Sequence, residues 1–217
     1  MKKPLLICAL FAAMTTTASA QISDDVVRIG VLTDLSSWGR DNSGPGSVVA
    51  AQMAVEEFGP TVLGKKIEII SADHQMKTDV GVQIAREWFD NGKVDAVADI
   101  PNSGIAIAIH NMAKERNKIA LLSGPGASSL TNELCSPNTV HFAYDTYALS
   151  KVTASAVLAE GGKSWYFITA DYAFGHQLEK DATDFIKQLG GTVVGGVKHP
   201  TNTADFSSFV LQAQNSK

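Results

Sequence analysis

Catalytic equipment is what this sequence lacks. It has two cysteines in 217 residues, Cys8 and Cys135, and no C-x-x-C pair. Its five histidines, His74, His110, His141, His176 and His199, fall at no metal-ligand spacing, so no metal site is expected. There is no G-x-S-x-G nucleophile elbow and no G-x-x-x-x-G-K-[ST] phosphate loop. No pair of carboxylates is marked by its spacing as an acid and a base. Basic clusters are absent too, which argues against a nucleic-acid surface. Beyond residue 20 no apolar run is long enough to span a bilayer. No segment is of low complexity, and no short repeat is visible.

One segment partly matches a dinucleotide-binding motif. Gly124-Pro125-Gly126-Ala127-Ser128-Ser129 follows an apolar strand, and Asp145 lies 21 residues after Gly124, like a dinucleotide fingerprint with its ribose acid. Ser129 stands where the third glycine belongs, Pro125 disturbs the tight turn, and the segment follows the fourth strand rather than the first. No cofactor is expected.

What is present begins at the N-terminus. Lys2 and Lys3, the apolar run Leu5–Met14 and the small-residue end Ala18-Ser19-Ala20 form the three-part pattern of a secretory signal peptide over 1–20. Cleavage before Gln21 is expected, with the periplasm of a double-membraned bacterium as destination. A tethered anchor is the alternative reading. Cys8 lies inside the apolar run, so it is not a lipid-anchor cysteine. The precursor's net charge of −4 becomes −6 once Lys2 and Lys3 leave. Cys135 is then a lone cysteine in an oxidising compartment.

The rest alternates strand and helix. Strands are expected at 26–32, 66–72, 94–100 and 118–123. Helices are expected at 47–58, 80–89 and 104–116, with Asp79 capping the second and Asn102 or Ser103 the third. The rhythm breaks over 124–138, and 139–143 is short and extended. It resumes with a helix at 147–159, a strand at 165–170, a helix at 174–189, a strand at 192–197 and a helix at 205–214. This is an α/β pattern of parallel sheets covered by helices. It divides into a first lobe at 21–143 and the start of a second at 144–217. Two strands cannot close a doubly covered sheet, so the second lobe is expected to be incomplete here. A complete compact domain with an unusual edge is the alternative.

Ligands of open parallel sheets bind beyond the carboxyl ends of the strands. Those ends carry Thr33–Trp38, Asp73-His74, Pro101–Gly104, Ser123–Gly126 and Asp171–Phe174. Several lead into helix N-termini, whose free amides attract a carboxylate. Asn102 and Ser103 serve there as caps, as ligand contacts or as both. Trp38, Tyr144, Tyr147, Tyr172 and Phe174 are rings near the same rim that sandwich an apolar ligand body or pack between lobes.

These segments resemble the extracellular solute-binding proteins of ABC transporters, in the branched-chain amino-acid binding group. VVRIGVLTDLSS resembles that family's opening strand and first ligand loop, and NSGPGSVVAAQMAVEEFG its first helix. SGPGASSLTNELCSPNTVHFAYDTYAL resembles the first crossing between lobes, and WYFITADYAFGHQLEKDATDF the start of the second lobe. The similarity runs in order over 26–217. It implies a type I periplasmic binding fold: two doubly wound parallel-sheet lobes joined by a hinge, closing on a ligand and passing it to a membrane permease. It implies ligand contacts at Ser37, Asn102, Ser103, Ser123, Gly124, Gly126, Ala127, Tyr147, Asp171, Tyr172 and Phe174. It also implies a later cysteine as partner for Cys135. Amino-acid binders carry an ammonium-holding threonine where this chain has Gly126, and the wording is closer to a subgroup associated with aromatic acids. A small carboxylate, aromatic first and leucine-like second, is the expected ligand. A sensor of the same fold and, behind it, an exported enzyme are the competing readings.

Overall fold

The computed structural model describes residues 22–216. The signal-peptide reading over 1–20 lies outside the described residues. Among those described, no helix is long and apolar enough to cross a membrane.

The first half of the chain builds one sheet. β1 (Val26–Thr33) is followed by α1 (Gly44–Phe58), β2 (Thr61–Val62) and β3 (Lys65–Asp73). Then come α2 (Thr78–Asp90), β4 (Ala96–Asp99), α3 (Ser103–Glu115), β5 (Ile119–Leu122) and β6 (Thr139–His141). The sheet order is β2-β3-β1-β4-β5-β6. Every pairing is parallel except β2 with β3. The small β2 edge is absent from the sequence reading. It pairs back through Leu63 and Gly64, both at positive φ (52° and 74°), as a two-residue hairpin loop requires. Asp79 lies in the first turn of α2 rather than at its cap, which is Lys77 without a side-chain bond. Its carboxylate acts there through charge on the helix dipole.

The core lies between this sheet and α2 and α3. Leu32, Val97, Ile105, Ile109 and Leu122 are fully buried in it. Each such side chain contributes about 1.5–3 kcal/mol by leaving water. The opposite face of the sheet is less filled. Only Gly44 of α1 is buried. An apolar groove of about 680 Å³ runs between the sheet and that helix, lined by Val27, Ile29, Val31, Ala51, Val55 and Phe58 among others.

After α4 (Thr146–Ala159), a second sheet pairs β7 (Ser164–Ala170) in parallel with β8 (Thr192–His199). α5 (Ala173–Gln188) packs on α4 and on both strands, and α6 (Ser207–Gln214) closes the order. α5 also reaches α3 of the first unit. The two sheets therefore turn their carboxyl ends, and the helix starts that follow, toward each other.

Candidate functional site

The loop after β1 is built around a buried acid. Asp34 is fully buried. It accepts hydrogen bonds from the amides of Ser36, Ser37 and Gly39 and from the Ser37 hydroxyl, at 2.6–3.3 Å. Burial opposes its ionisation, but the bonds from Ser37, Gly39 and Ser36 outweigh that and hold its pKa below the ordinary carboxylate range. Asp73, at the end of β3, ties the same loop down through the Leu35 amide and the Ser36 hydroxyl. Ser37 is thus committed to shaping the loop, whereas the adjacent Trp38 is half exposed (49%) at its tip.

The start of α3 is satisfied from within. The Asn102 side chain accepts from the amides of Gly104 (2.9 Å) and Ile105 (3.2 Å). Both Asn102 and Ser103 are buried, and the Ser103 hydroxyl accepts from the Gly126 amide at 3.3 Å. His141 donates through Nε2 to the Pro125 carbonyl at 2.6 Å, fixing the loop after β5 from the other side. That loop presents glycines where neighbours crowd. A Cβ at Gly126 would sit 2.7 Å from the Phe174 ring and 3.0 Å from that of Tyr144. A Cβ at Gly124 would meet the backbone of Pro101 at 2.7 Å.

α5 begins differently. Its cap, Tyr172, makes no side-chain capping bond, and its first turn holds no acidic residue. Its early amides resemble the uncapped donors at which anions bind. Asp171, just before it, is exposed and pairs with His176 at 2.7 Å.

These pieces enclose a cavity of about 210 Å³. Its aromatic walls are Trp38, Tyr144, Tyr172 and Phe174. Gly39, Asn42, Met76, Pro101, Gly124 and Gly126 complete it. The rings engage edge to face across the cleft, Trp38 with Tyr172 at 5.9 Å and Tyr144 with Phe174 at 6.5 Å. Burial first, then the neighbouring Tyr144, pushes the Tyr172 phenol up, so it is neutral and able to donate.

Four of the sequence-derived residues, Gly124, Gly126, Tyr172 and Phe174, line this cavity. Ser123 lies next door, in a more polar cavity. Asn102, Ser103 and Ser37 stand behind the walls as supports. Ala127 is fully buried and belongs to the core. Asp171 is at the rim. Tyr147 sits apart, stacked edge to face on Phe185 at 5.0 Å in a third, polar cavity. Pro101 belongs to the strand-end set expected from sequence, whereas Gly39, Asn42 and Met76 carry no such signal. Only the fold of the neighbouring loops brings them to the cleft.

A family profile described as "Periplasmic binding protein" matches residues 26–217. The chain belongs to that family. It is similar to the crystal structure of a periplasmic binding protein from Burkholderia mallei, at 50% identity and a TM-score of 0.85, over 88% of this chain and 51% of that one. It is 42% identical (TM-score 0.70) to a branched-chain amino acid ABC transporter periplasmic ligand-binding protein from Burkholderia xenovorans LB400, over 88% and 51% of the two chains. A solute-binding protein of an ABC transporter from Rhodopseudomonas palustris BisB5, in complex with 3,4-dihydroxybenzoic acid, is 25% identical (TM-score 0.76), over 89% and 52%. The architecture is the type I periplasmic binding fold expected from the sequence. The chain spans about half the length of the curated relatives it matches (54%).

Proposed function

We propose that this chain is the ligand-capturing part of a periplasmic receptor for an ABC importer, and that it takes an aromatic carboxylate. The observation that carries this reading is the cavity walled by four aromatic side chains, drawn from both α/β units and flanked by the starts of α3 and α5. A flat ring fits between such walls. The carboxylate lies at the α5 amides, which have no side-chain cap, rather than at α3, where Asn102 already accepts two of them. Gly126 leaves room for the Phe174 ring, and that ring occupies the side on which an ammonium-holding residue would stand. This favours an aromatic acid over a leucine-like amino acid. The Rhodopseudomonas relative's ligand is of the same class.

We place the division between lobes at 143/144, a reading supported by β6 being the last strand of the first sheet. The chain is exported by its N-terminal segment, performs no catalysis, and hands its ligand to a membrane permease when closed. A sensor of the same fold remains the second reading, with an exported enzyme behind it. Thermal unfolding against a panel of aromatic acids, aliphatic acids and amino acids tests this. A selective rise in Tm with aromatic acids is expected, because a ligand bound only to the native state stabilises it. A shift with leucine alone, or turnover of a bound acid, would overturn it.

A further inference from the structure

The polar cavity beside the aromatic one has a volume of about 240 Å³. The two share Asn42, Pro101, Gly124 and Tyr144, so one ligand can extend from the first into the second. At the back of this annex stands Asp99, at 5% exposure. One of its carboxylate oxygens accepts from the Ser123 hydroxyl at 3.1 Å. The other is buried and has no hydrogen-bond partner. Orphaned buried carboxylate oxygens are costly and uncommon in folded proteins.

The backbone is bent to put the acid there. Asp99 and Ile100 carry consecutive positive φ values of 75° and 57°. Aspartate tolerates that region, and a β-branched residue rarely enters it. In register, Asp99 pairs with Leu32, whose side chain enters the core. The bend turns the acid instead toward Ser43, Ser47 and Ser123. An ionised carboxylate has about four lone-pair sites and the Ser123 hydroxyl fills one, so the group keeps acceptor capacity for a donor in the annex. None of the residues lining either cavity is a lysine or arginine.

We infer that Asp99 is a specificity-determining residue, and that the annex receives a ring hydroxyl of the ligand, whose proton it accepts as a hydrogen bond. This rests on the aromatic-carboxylate reading above. An unneutralised acid repels the ligand's own carboxylate, so that group points away, toward α5. The donor must therefore be separated from the carboxylate by the ring. An α-ammonium, one carbon from its carboxylate, does not meet that condition.

Isothermal titration of the full chain with benzoate, 3-hydroxybenzoate, 4-hydroxybenzoate, 4-methoxybenzoate and L-leucine tests the assignment. One hydroxybenzoate is expected to bind at least about tenfold tighter than both benzoate and the methoxy compound, because a site built to hydrogen-bond a hydroxyl discriminates against ligands lacking it. Asp99→Asn, which suits the positive φ, is expected to narrow that ratio to about threefold or less. The wild-type ratio of hydroxy to methoxy ligand stands as evidence even if the variant does not fold. Equal binding of all four benzoates by the wild type would overturn the role of Asp99 and leave the aromatic-acid reading in place. An undiminished hydroxyl preference in Asp99→Asn would do the same. Binding of L-leucine with no benzoate bound would overturn both.

Discussion

The helices that follow β4 and β7 occupy equivalent places, each starting at the carboxyl end of a parallel strand and facing the cleft, yet they are built in opposite ways. α3 starts inside the protein. Asn102 caps it, Ser103 holds the next loop, and the buried Asp34 wires the neighbouring one. α5 starts at the surface of the cleft with no side-chain cap, and its acid, Asp171, faces solvent. A helix start whose amides are already bonded supports a site. One whose amides are unmet by side chains can bind an anion. The first unit thus brings a helix start sealed by its own side chain to the cleft, and the second brings an unsealed one.

The contrast can be broken most severely at Asp34. Asp34→Ala removes the acceptor of three amides and a hydroxyl, leaving them without a partner in a buried loop. A loss of about 3 kcal/mol is expected in urea unfolding. Gly126→Ala is next. Its methyl meets the Phe174 ring, so about 1–3 kcal/mol of overpacking is expected, with weakened ligand binding in the same titration. Asn102→Ala removes the α3 cap and is expected to cost about 1 kcal/mol. If Asn102 only supports, the variant weakens binding of an aromatic acid and of its neutral amide equally. A selective loss of the acid would move the carboxylate back to α3. Asp171→Asn removes the charge from an exposed pair with His176 and is expected to change stability by no more than about 0.5 kcal/mol.

Acid sharpens the comparison further. Burial holds the pKa of His74 and of His110 below the ordinary histidine value. Their neutral forms are favoured in the folded state, so their contribution is fully present above the unfolded value of about 6.5 and is lost as pH falls through the folded values. Asp34 and Asp73, also lowered, add a second loss below about pH 4. All four groups belong to the first unit. Chemical denaturation from pH 7 to pH 3 should show both steps, and the His74→Gln/His110→Gln pair should lack the first.

Much of this architecture was legible in the chain. β-branched runs such as Val26–Leu32 and helical spacings such as Val80, Ile84 and Trp88 depend on local periodicity, and so does the Asn102 cap. The aromatic rim was legible as a set of rings near strand ends. Which rings meet was not. Tyr147 and Tyr144 lie three residues apart, yet one joins Phe185 and the other Phe174. Ser37 and Ala127 have the composition of binding-loop residues, but one bonds Asp34 and the other is core. Nothing in the spacing of Asp99 marked it. Its importance arises from a backbone bend and a missing partner, both set by contacts between strands.

The alternation of strand and helix, the place where the rhythm breaks, and the absence of recognisable catalytic or metal-binding motifs were set by the chain alone, because these follow from residue type and short-range spacing. The tertiary structure alone decided which helix start is sealed and which is open, which rings face the cleft, and where a buried acid lacks a partner. Those properties depend on residues far apart in sequence being brought within a few ångströms, where burial and hydrogen bonding compete.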